Sequence, residues 1–255
     1  MEYEYFGLIS IIMAAYSAEK TIERAISSVL NQTYPHFELL VVNDCSKDGT
    51  AKLVESIATR DNRVRLISNK KNSGVSYTRK HGLDEARGEW IAILDSDDAW
   101  APEKLEKQIA LQEKMNADLL FTGSAFMDAD GQPIDWYLSA PAEVSYRQLL
   151  KQNVLSNSSA LVRKELYAKH YAVGDGMHED FAIWLSILKE GRKAYGVNEP
   201  LLIYRIAKSS KSGNKVKAAM MNWNTYRYIG LNPFESIYYE CWYAIKGLLK
   251  YKNLK

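Results

Sequence analysis

A chain of 255 residues, 47% of them apolar, carries enough nonpolar side chain to bury a large core, which excludes a disordered chain and fits one catalytic domain with an appendage. Its 33 lysines and arginines against 31 aspartates and glutamates give no general electrostatic case for nucleic acid as a partner. Only Cys45 and Cys241 are present, without metal-ligand spacing, so a reducing compartment, the cytoplasm, is expected rather than a disulfide framework.

The amino terminus, Met1 to Gly7, carries Glu2 and Glu4 but no basic segment, and Leu8 to Ala15 is too short for a signal peptide's pattern. No stretch reaches the roughly 20 apolar residues of a spanning helix. Leu8 to Met13 reads as a strand, followed by a helix from about Ala18 to Leu30 with Ile22, Ala25, Ile26, Val29 and Leu30 on one face. Strands at Phe37 to Val42, Val64 to Ser68 and Trp90 to Leu94 alternate with helices at Asp48 to Thr59 and Val75 to Ala86. That alternation predicts an α/β fold with a mostly parallel sheet covered by helices, its strands buried on both faces. Ligands of such sheets bind beyond the strand carboxyl ends, where Tyr16, Asp44, the 69–74 segment and the 95–98 segment fall.

Further along, a helix is expected from about Pro102 to Met115, strands at Leu119 to Met127 and Ser158 to Val162, and a turn at Asp130-Gly131 with loop aromatics Trp136 and Tyr137. A helix from Glu179 to Lys189, ended by Gly191, precedes short strands at Ala194 to Val197 and Leu201 to Tyr204. Lys208 to Lys217 reads as a basic loop or linker. Residues 1–205 are expected to form one domain, with the strand-end polar clusters in 1–100. Residues 206–255 form a helical tail broken near Gly230 to Pro233. In its second helix Phe234, Ile237, Tyr238, Cys241, Ile245, Leu248 and Leu249 recur at three- and four-residue steps, with Lys246, Lys250, Lys252 and Lys255 adding charge. Peripheral membrane contact, packing on its own domain and pairing with a second subunit as a homodimer are three readings of that helix.

Three carboxylates, Asp95, Asp97 and Asp98, crowd the end of the fourth strand, where mutual repulsion favours full solvation or a bound cation. Aspartate oxygens suit magnesium or manganese, and in an extended segment Asp95 and Asp97 would face one ligand. Capping of the next helix explains the same acids equally well. Asp44 is placed to accept from a nucleobase imide, or else to close an Asx-turn, and Tyr16 to stack on that base, or else simply to pack. Asn72-Ser73-Gly74 offers backbone N–H groups to a phosphate at a helix start, with Arg79 one turn later. No glycine-rich nucleotide loop follows the first strand, which argues against dinucleotide, kinase or nucleotidyl-transfer chemistry. His178-Glu179-Asp180 opens a helix, whose dipole would keep Asp180 ionised as a general base oriented by Glu179 or His178, although capping alone would suffice.

In this order the motifs resemble glycosyltransferase family 2, inverting enzymes of the nucleotide-sugar-binding GT-A fold: Ala14-Ala15-Tyr16-Ser17, the 25–34 helix end, the 43–50 segment, Asn72 to Arg79, and Asp95-Ser96-Asp97-Asp98. The likeness covers about residues 8 to 205 and implies that 1–205 form the catalytic domain, with 1–100 as its nucleotide-binding half and 101–205 as its acceptor side, while the tail more loosely resembles transferases of capsular or teichuronic-acid-type polysaccharide assembly. It implies a nucleotide-sugar donor, usually UDP-linked, contacted by Ala14, Tyr16, Glu19, Asp44, Asn72, Arg79, Asp95 and Ser96. It also implies a divalent metal, manganese or magnesium, at Asp95, Asp97 and Asp98, and catalysis by Asp180 with Glu179. The implied acceptor is a saccharide or lipid-linked saccharide at the inner membrane face. Ser17, Asn43, Cys45 and Lys80 depart from the family's usual asparagine, aspartate, glycine and asparagine. A sugar-nucleotide-binding partner without catalysis is the alternative reading.

Overall fold

The aliphatic runs of the first hundred residues fold into four parallel strands, in a computed structural model that describes residues 6–174, 176–206 and 215–250. These are β1 (Ile9–Ala15), β2 (Phe37–Asn43), β3 (Val64–Ser68) and β4 (Trp90–Ile93). Side chains alternate along each strand, so Ile9, Ile11 and Met13 enter one core while Ile12 enters the other. Both faces are therefore covered, by helices α1 (Ile22–Leu30), α2 (Thr50–Ala58) and α3 (Val75–Glu85) and by later elements. Glu2 and Glu4 lie outside the described residues.

The sheet then mixes. After β5 (Ala99–Trp100) come α4 (Lys104–Met115), β6 (Leu119–Met127), β7 (Pro133–Leu138), β8 (Glu143–Val144), α5 (Tyr146–Lys151), a one-turn helix at Asn157–Ser159, β9 (Leu161–Arg163), α6 (Lys164–Lys169), α7 (Glu179–Lys189) and β10 (Ala194–Arg205). The order is β3-β2-β1-β4-β9-β6-β10-β5, with β9 antiparallel to both neighbours and β10 parallel to β6. This is the GT-A-like architecture expected, with a helical carboxyl-terminal segment.

Several expectations shift. The strand at Ser158 to Val162 is split, because Ser159 Oγ donates to the Ser156 carbonyl and starts a turn that leaves only Leu161–Arg163 extended. The two short strands after Gly191 are one strand with a register break between Val197 and Leu202, around Pro200. Trp136 and Tyr137 belong to β7 rather than a loop. Most of the Lys208 to Lys217 linker lies outside the described residues, as do the side chains of Leu248, Leu249 and Lys250 and all of Lys252 and Lys255.

The tail comprises α8 (Lys215–Tyr228) and α9 (Pro233–Lys250). Tyr226, fully buried, donates its hydroxyl to the Leu150 carbonyl at 2.8 Å and packs its ring 5.9 Å from Phe181. Ile229 and Leu231 join the same core, while Phe234, Ile237, Tyr238 and Ile245 on α9 remain exposed. Among the described residues no helix is long and apolar enough to cross a membrane.

Candidate active site

At the carboxyl ends of β1 and β4, polar residues cannot stay inside the sheet, and the chain turns outward there. The 16–19 turn is fastened to the start of α2. Ala18 N–H donates to Thr50 Oγ1 at 2.9 Å, Ser17 N–H to Ser46 Oγ at 3.1 Å, and Gly49 N–H to Glu19 Oε2 at 3.0 Å. Glu19 is thus an exposed clasp between two turns and does not line the cavity described below. Tyr16, 54% exposed, and Ala14 do line it. Ser17 and Cys45 adopt left-handed backbone at φ 51° and 60°. These are the two positions where asparagine and glycine, which tolerate that conformation, are more usual in the resembled family.

Asp44 turns its carboxylate to the loop beside it. Oδ1 accepts from Asn69 Nδ2 and Ser73 N–H, at 2.8 and 2.9 Å, and Oδ2 accepts from Gly74 N–H at 2.9 Å. This corrects the expected phosphate cradle, because Asp44 itself is the anion that those N–H groups hold. Asn72 is exposed, and neither it nor Asp44 reaches the cavity wall.

That cavity encloses about 1390 Å³ and takes its walls from residues as distant as Ala14 and Lys246. Asp95, Ser96 and Asp97 line it, although not along an extended segment. Asp98 N–H donates to the Asp95 carbonyl at 3.1 Å, closing a turn. The turn sends Asp98 the other way, only 2% exposed, where Oδ1 accepts from Arg205 N–H at 2.9 Å. Burial, then the charges of Asp95 and Asp97, pushes the Asp98 carboxyl well up. Asp98 is a buried brace, which corrects the expectation that it shares one ligand with the other two.

Asp97 stays at the wall, its carboxyl raised by burial and then by Asp95, with weaker relief from Arg205 and Arg79. Two hard carboxylates on one wall, one of them crowded into a raised pKa, fit a divalent cation. Among the described residues no group of three or more His, Cys, Asp or Glu side chains is arranged to hold a metal, so protein ligands would be those two together with substrate oxygens.

Across the cavity floor Arg79, 7% exposed on α3, pairs through one nitrogen with Asp95 and through another with Glu179. Burial works against its charge, but the two carboxylates outweigh burial and hold it firmly protonated. Glu179 and Asp180 sit in the first turn of α7, and both line the cavity beside His178. His178 N–H donates to Thr225 Oγ1 at 3.1 Å, tying the start of α7 to α8. Asp180 opens on the cavity yet is embedded in protein, and burial followed by the Glu179 charge raises its carboxyl from 3.8 to about 7. The helix dipole alone had suggested a firmly ionised group. Desolvation wins because α8 and α9 pack over the start of α7.

Two cavity cations escaped sequence reasoning. Arg205 ends β10, and its Nε donates to the Asp97 carbonyl at 2.9 Å and an Nη to the Ala129 carbonyl at 2.9 Å. The strand-end rule, applied to β10 as it was to β1–β4, would have found it. Lys246 comes from α9, where the sequence showed an amphipathic helix with a cationic end but not that this lysine reaches the cavity.

Glycosyl transferase family 2, as a family description, matches residues 10–169. The chain is 37% identical over 222 residues to TuaG of Bacillus subtilis (strain 168), a glycosyltransferase assigned to teichuronic acid biosynthesis, covering 87% of this chain and 88% of that one. It is 35% identical over 253 residues to the Escherichia coli UDP-Glc:alpha-D-GlcNAc-diphosphoundecaprenol beta-1,3-glucosyltransferase WfgD, covering 97% and 98%. Among solved structures, S. aureus TarS 1-349 in complex with UDP-GlcNAc superposes with a TM-score of 0.71 at 20% identity, over 91% of this chain and 70% of that one. A Pyrobaculum calidifontis mannosyltransferase in complex with GDP-Man and Mn2+ gives 0.66 at 18% identity, over 88% and 64%. At such identities the two structures speak for the fold alone.

Proposed function

The chain belongs to glycosyl transferase family 2 and is a glycosyltransferase, and from that premise we propose that it inverts the anomeric centre of a UDP-linked sugar while moving it to a lipid-linked saccharide in cell-surface polysaccharide synthesis. The observation that carries this reading is the single cavity in which Asp95 and Asp97 meet Glu179 and Asp180 across Arg79. WfgD, alike along nearly its whole length, is named for a UDP-glucose donor and a diphosphoundecaprenol-linked acceptor, and that name supports the substrate classes.

In this reading the Asp180 carboxylate takes the proton of an acceptor hydroxyl. The acceptor oxygen forms its bond to the anomeric carbon as the bond to the nucleoside diphosphate breaks, on the opposite face. With pKa near 7, Asp180 is basic enough to help and still substantially ionised at neutral pH. Arg79 pairs with Glu179, whose charge beside Asp180 is the second cause, after burial, of that carboxyl's raised basicity. Tyr16 offers an exposed ring face to a base, and Ala14 lets the ligand approach the end of β1. Asp44 acts indirectly by fixing the 69–74 loop that carries Asn72, Glu19 clasps the 16–19 turn to the start of α2, and Ser96 presents the turn between the two wall carboxylates. Asp97 with Asp95 would hold manganese or magnesium, which when bound neutralises charge on the departing diphosphate. Residues 1–205 carry this site apart from the helices that close it, and 206–255 supply those helices, with membrane contact at the inner face through exposed α9 side chains.

The test is transfer from a panel of UDP-sugars and GDP-mannose to GlcNAc linked through diphosphate to a long alkyl chain, with product configuration read by NMR. Transfer from a UDP-sugar with inversion is expected. Retention of configuration, or UDP-sugar binding with no transfer to any lipid-linked saccharide, would sink the reading.

A further inference from the structure

Three cationic side chains line the cavity, and two of them are engaged. Arg79 is held between Asp95 and Glu179, and Arg205 is held by the carbonyls of Asp97 and Ala129. Lys246 makes no hydrogen bond or ion pair with another described residue, although it is half-buried in the wall. An ammonium placed in a cavity without a partner is available to an incoming anion.

Its position says which anion. Tyr243, one turn earlier on the same face of α9, sets its ring 6.0 Å from that of Phe181, the residue after Asp180. Tyr243, Lys246 and Asp180 line one cavity, and the Tyr243–Phe181 contact ties this stretch of α9 to the helix that carries Asp180, the side on which the acceptor would lie. A neutral sugar could accept a hydrogen bond from the lysine but would leave its charge uncompensated. An acceptor sugar carried on a diphosphate would compensate it, because its own charge sits one sugar away from the hydroxyl that reacts. The neighbouring face of the same helix carries Tyr238 and Ile245, 52% and 50% exposed, an apolar surface suited to a hydrocarbon chain beyond the diphosphate.

We propose that Lys246 is the residue that recognises the diphosphate of a lipid-linked acceptor, making α9 the part of the chain that selects lipid-diphosphate acceptors over free saccharides. This rests on the glycosyltransferase reading above and deepens its acceptor half. Lys246 binds and positions the substrate and takes no part in proton transfer.

The test is isothermal titration of the full chain, with UDP and manganese saturating the donor side, using dodecyl diphosphate as probe and inorganic pyrophosphate and dodecyl maltoside as controls. The wild-type chain should bind dodecyl diphosphate more tightly than either control. Lys246→Gln should weaken that binding about tenfold, and Lys246→Arg should keep it, in line with loss and retention of one charge-assisted hydrogen bond. Equal binding by the wild-type and Lys246→Gln chains would overturn the proposal, as would pyrophosphate binding as tightly as dodecyl diphosphate. So would a Lys246→Gln chain that lost affinity for UDP instead. A wild-type chain that bound no UDP would count against the donor reading alone, and the same titration without nucleotide would still decide the role of Lys246.

Discussion

Replacing Asp180 with asparagine should stabilise the protein while abolishing transfer, and the size and pH dependence of that gain follow from the site. Burial and the Glu179 charge raise the Asp180 carboxyl from 3.8 to about 7 in the folded chain. Between those values the folded protein holds a proton that the unfolded chain has released. This folded pKa is raised, so its contribution is most favourable below about pH 4, declines as pH climbs to about 7, and is flat above. The gap, at about 1.36 kcal/mol for each pH unit, corresponds to about 4 kcal/mol as an upper bound, against a total of about 5–15 kcal/mol for a domain. Asp180→Asn removes the carboxylate and with it that penalty. Urea unfolding at pH 4 and pH 8 should give nearly equal stabilities for the two chains at pH 4 and a variant more stable by up to about 4 kcal/mol at pH 8. Transfer by the same variant should be lost at every pH. A stability difference that did not change with pH, or normal turnover by Asp180→Asn, would refute the reasoning.

The same group sets a pH–rate profile: kcat/KM should rise about tenfold per pH unit up to about pH 7 and level off above it, so that the rate at pH 6 is about a tenth of the plateau. Glu179→Gln removes the second cause of the raised value, so its profile, scaled to its own plateau, should move to lower pH; an unmoved limb would show that Glu179 does not tune Asp180. Asp97→Asn should weaken manganese binding in the presence of UDP more than tenfold by equilibrium dialysis, and unchanged affinity would remove Asp97 from the ligand set. Cys45→Gly should raise stability by about 0.5–1 kcal/mol by relieving the left-handed backbone at φ 60°, whereas Gly74→Ala, at φ 84°, should cost about 1–2 kcal/mol; thermal unfolding of both reads the contrast.

The parallel half of the sheet was legible because it is local. β1, β2 and β4 are largely apolar runs bounded by their own turns and buried on both faces, while β3, at the sheet edge, carries Arg65 and is only partly buried. The other half is written in fragments. β5 and β8 are two residues long and exist only because β10 offers them an edge, and β7 alternates in exposure behind the Asp130-Gly131 turn that suggested a loop. Site residues followed the same divide. Asp95, Asp97, Glu179 and Asp180 were visible as acids at strand and helix ends, and all four reach the cavity. Which way Asp44 and Asp98 turn was not visible, because that depends on the N–H groups of Ser73, Gly74 and Arg205 arriving from elsewhere. The raised Asp180 carboxyl was not visible for the same reason, since the helices that desolvate it lie some forty residues or more further along.

A cavity whose walls begin at Ala14 and end at Lys246 has a consequence for how the protein comes into being. During translation the Asp95 side emerges first, and the segment bearing Asp180 follows after more than eighty further residues. Only when α9 has left the ribosome does the last wall exist, so a nascent or prematurely terminated chain displays its acids to bulk water in an unfinished bowl, without the desolvation that raises the Asp180 carboxyl.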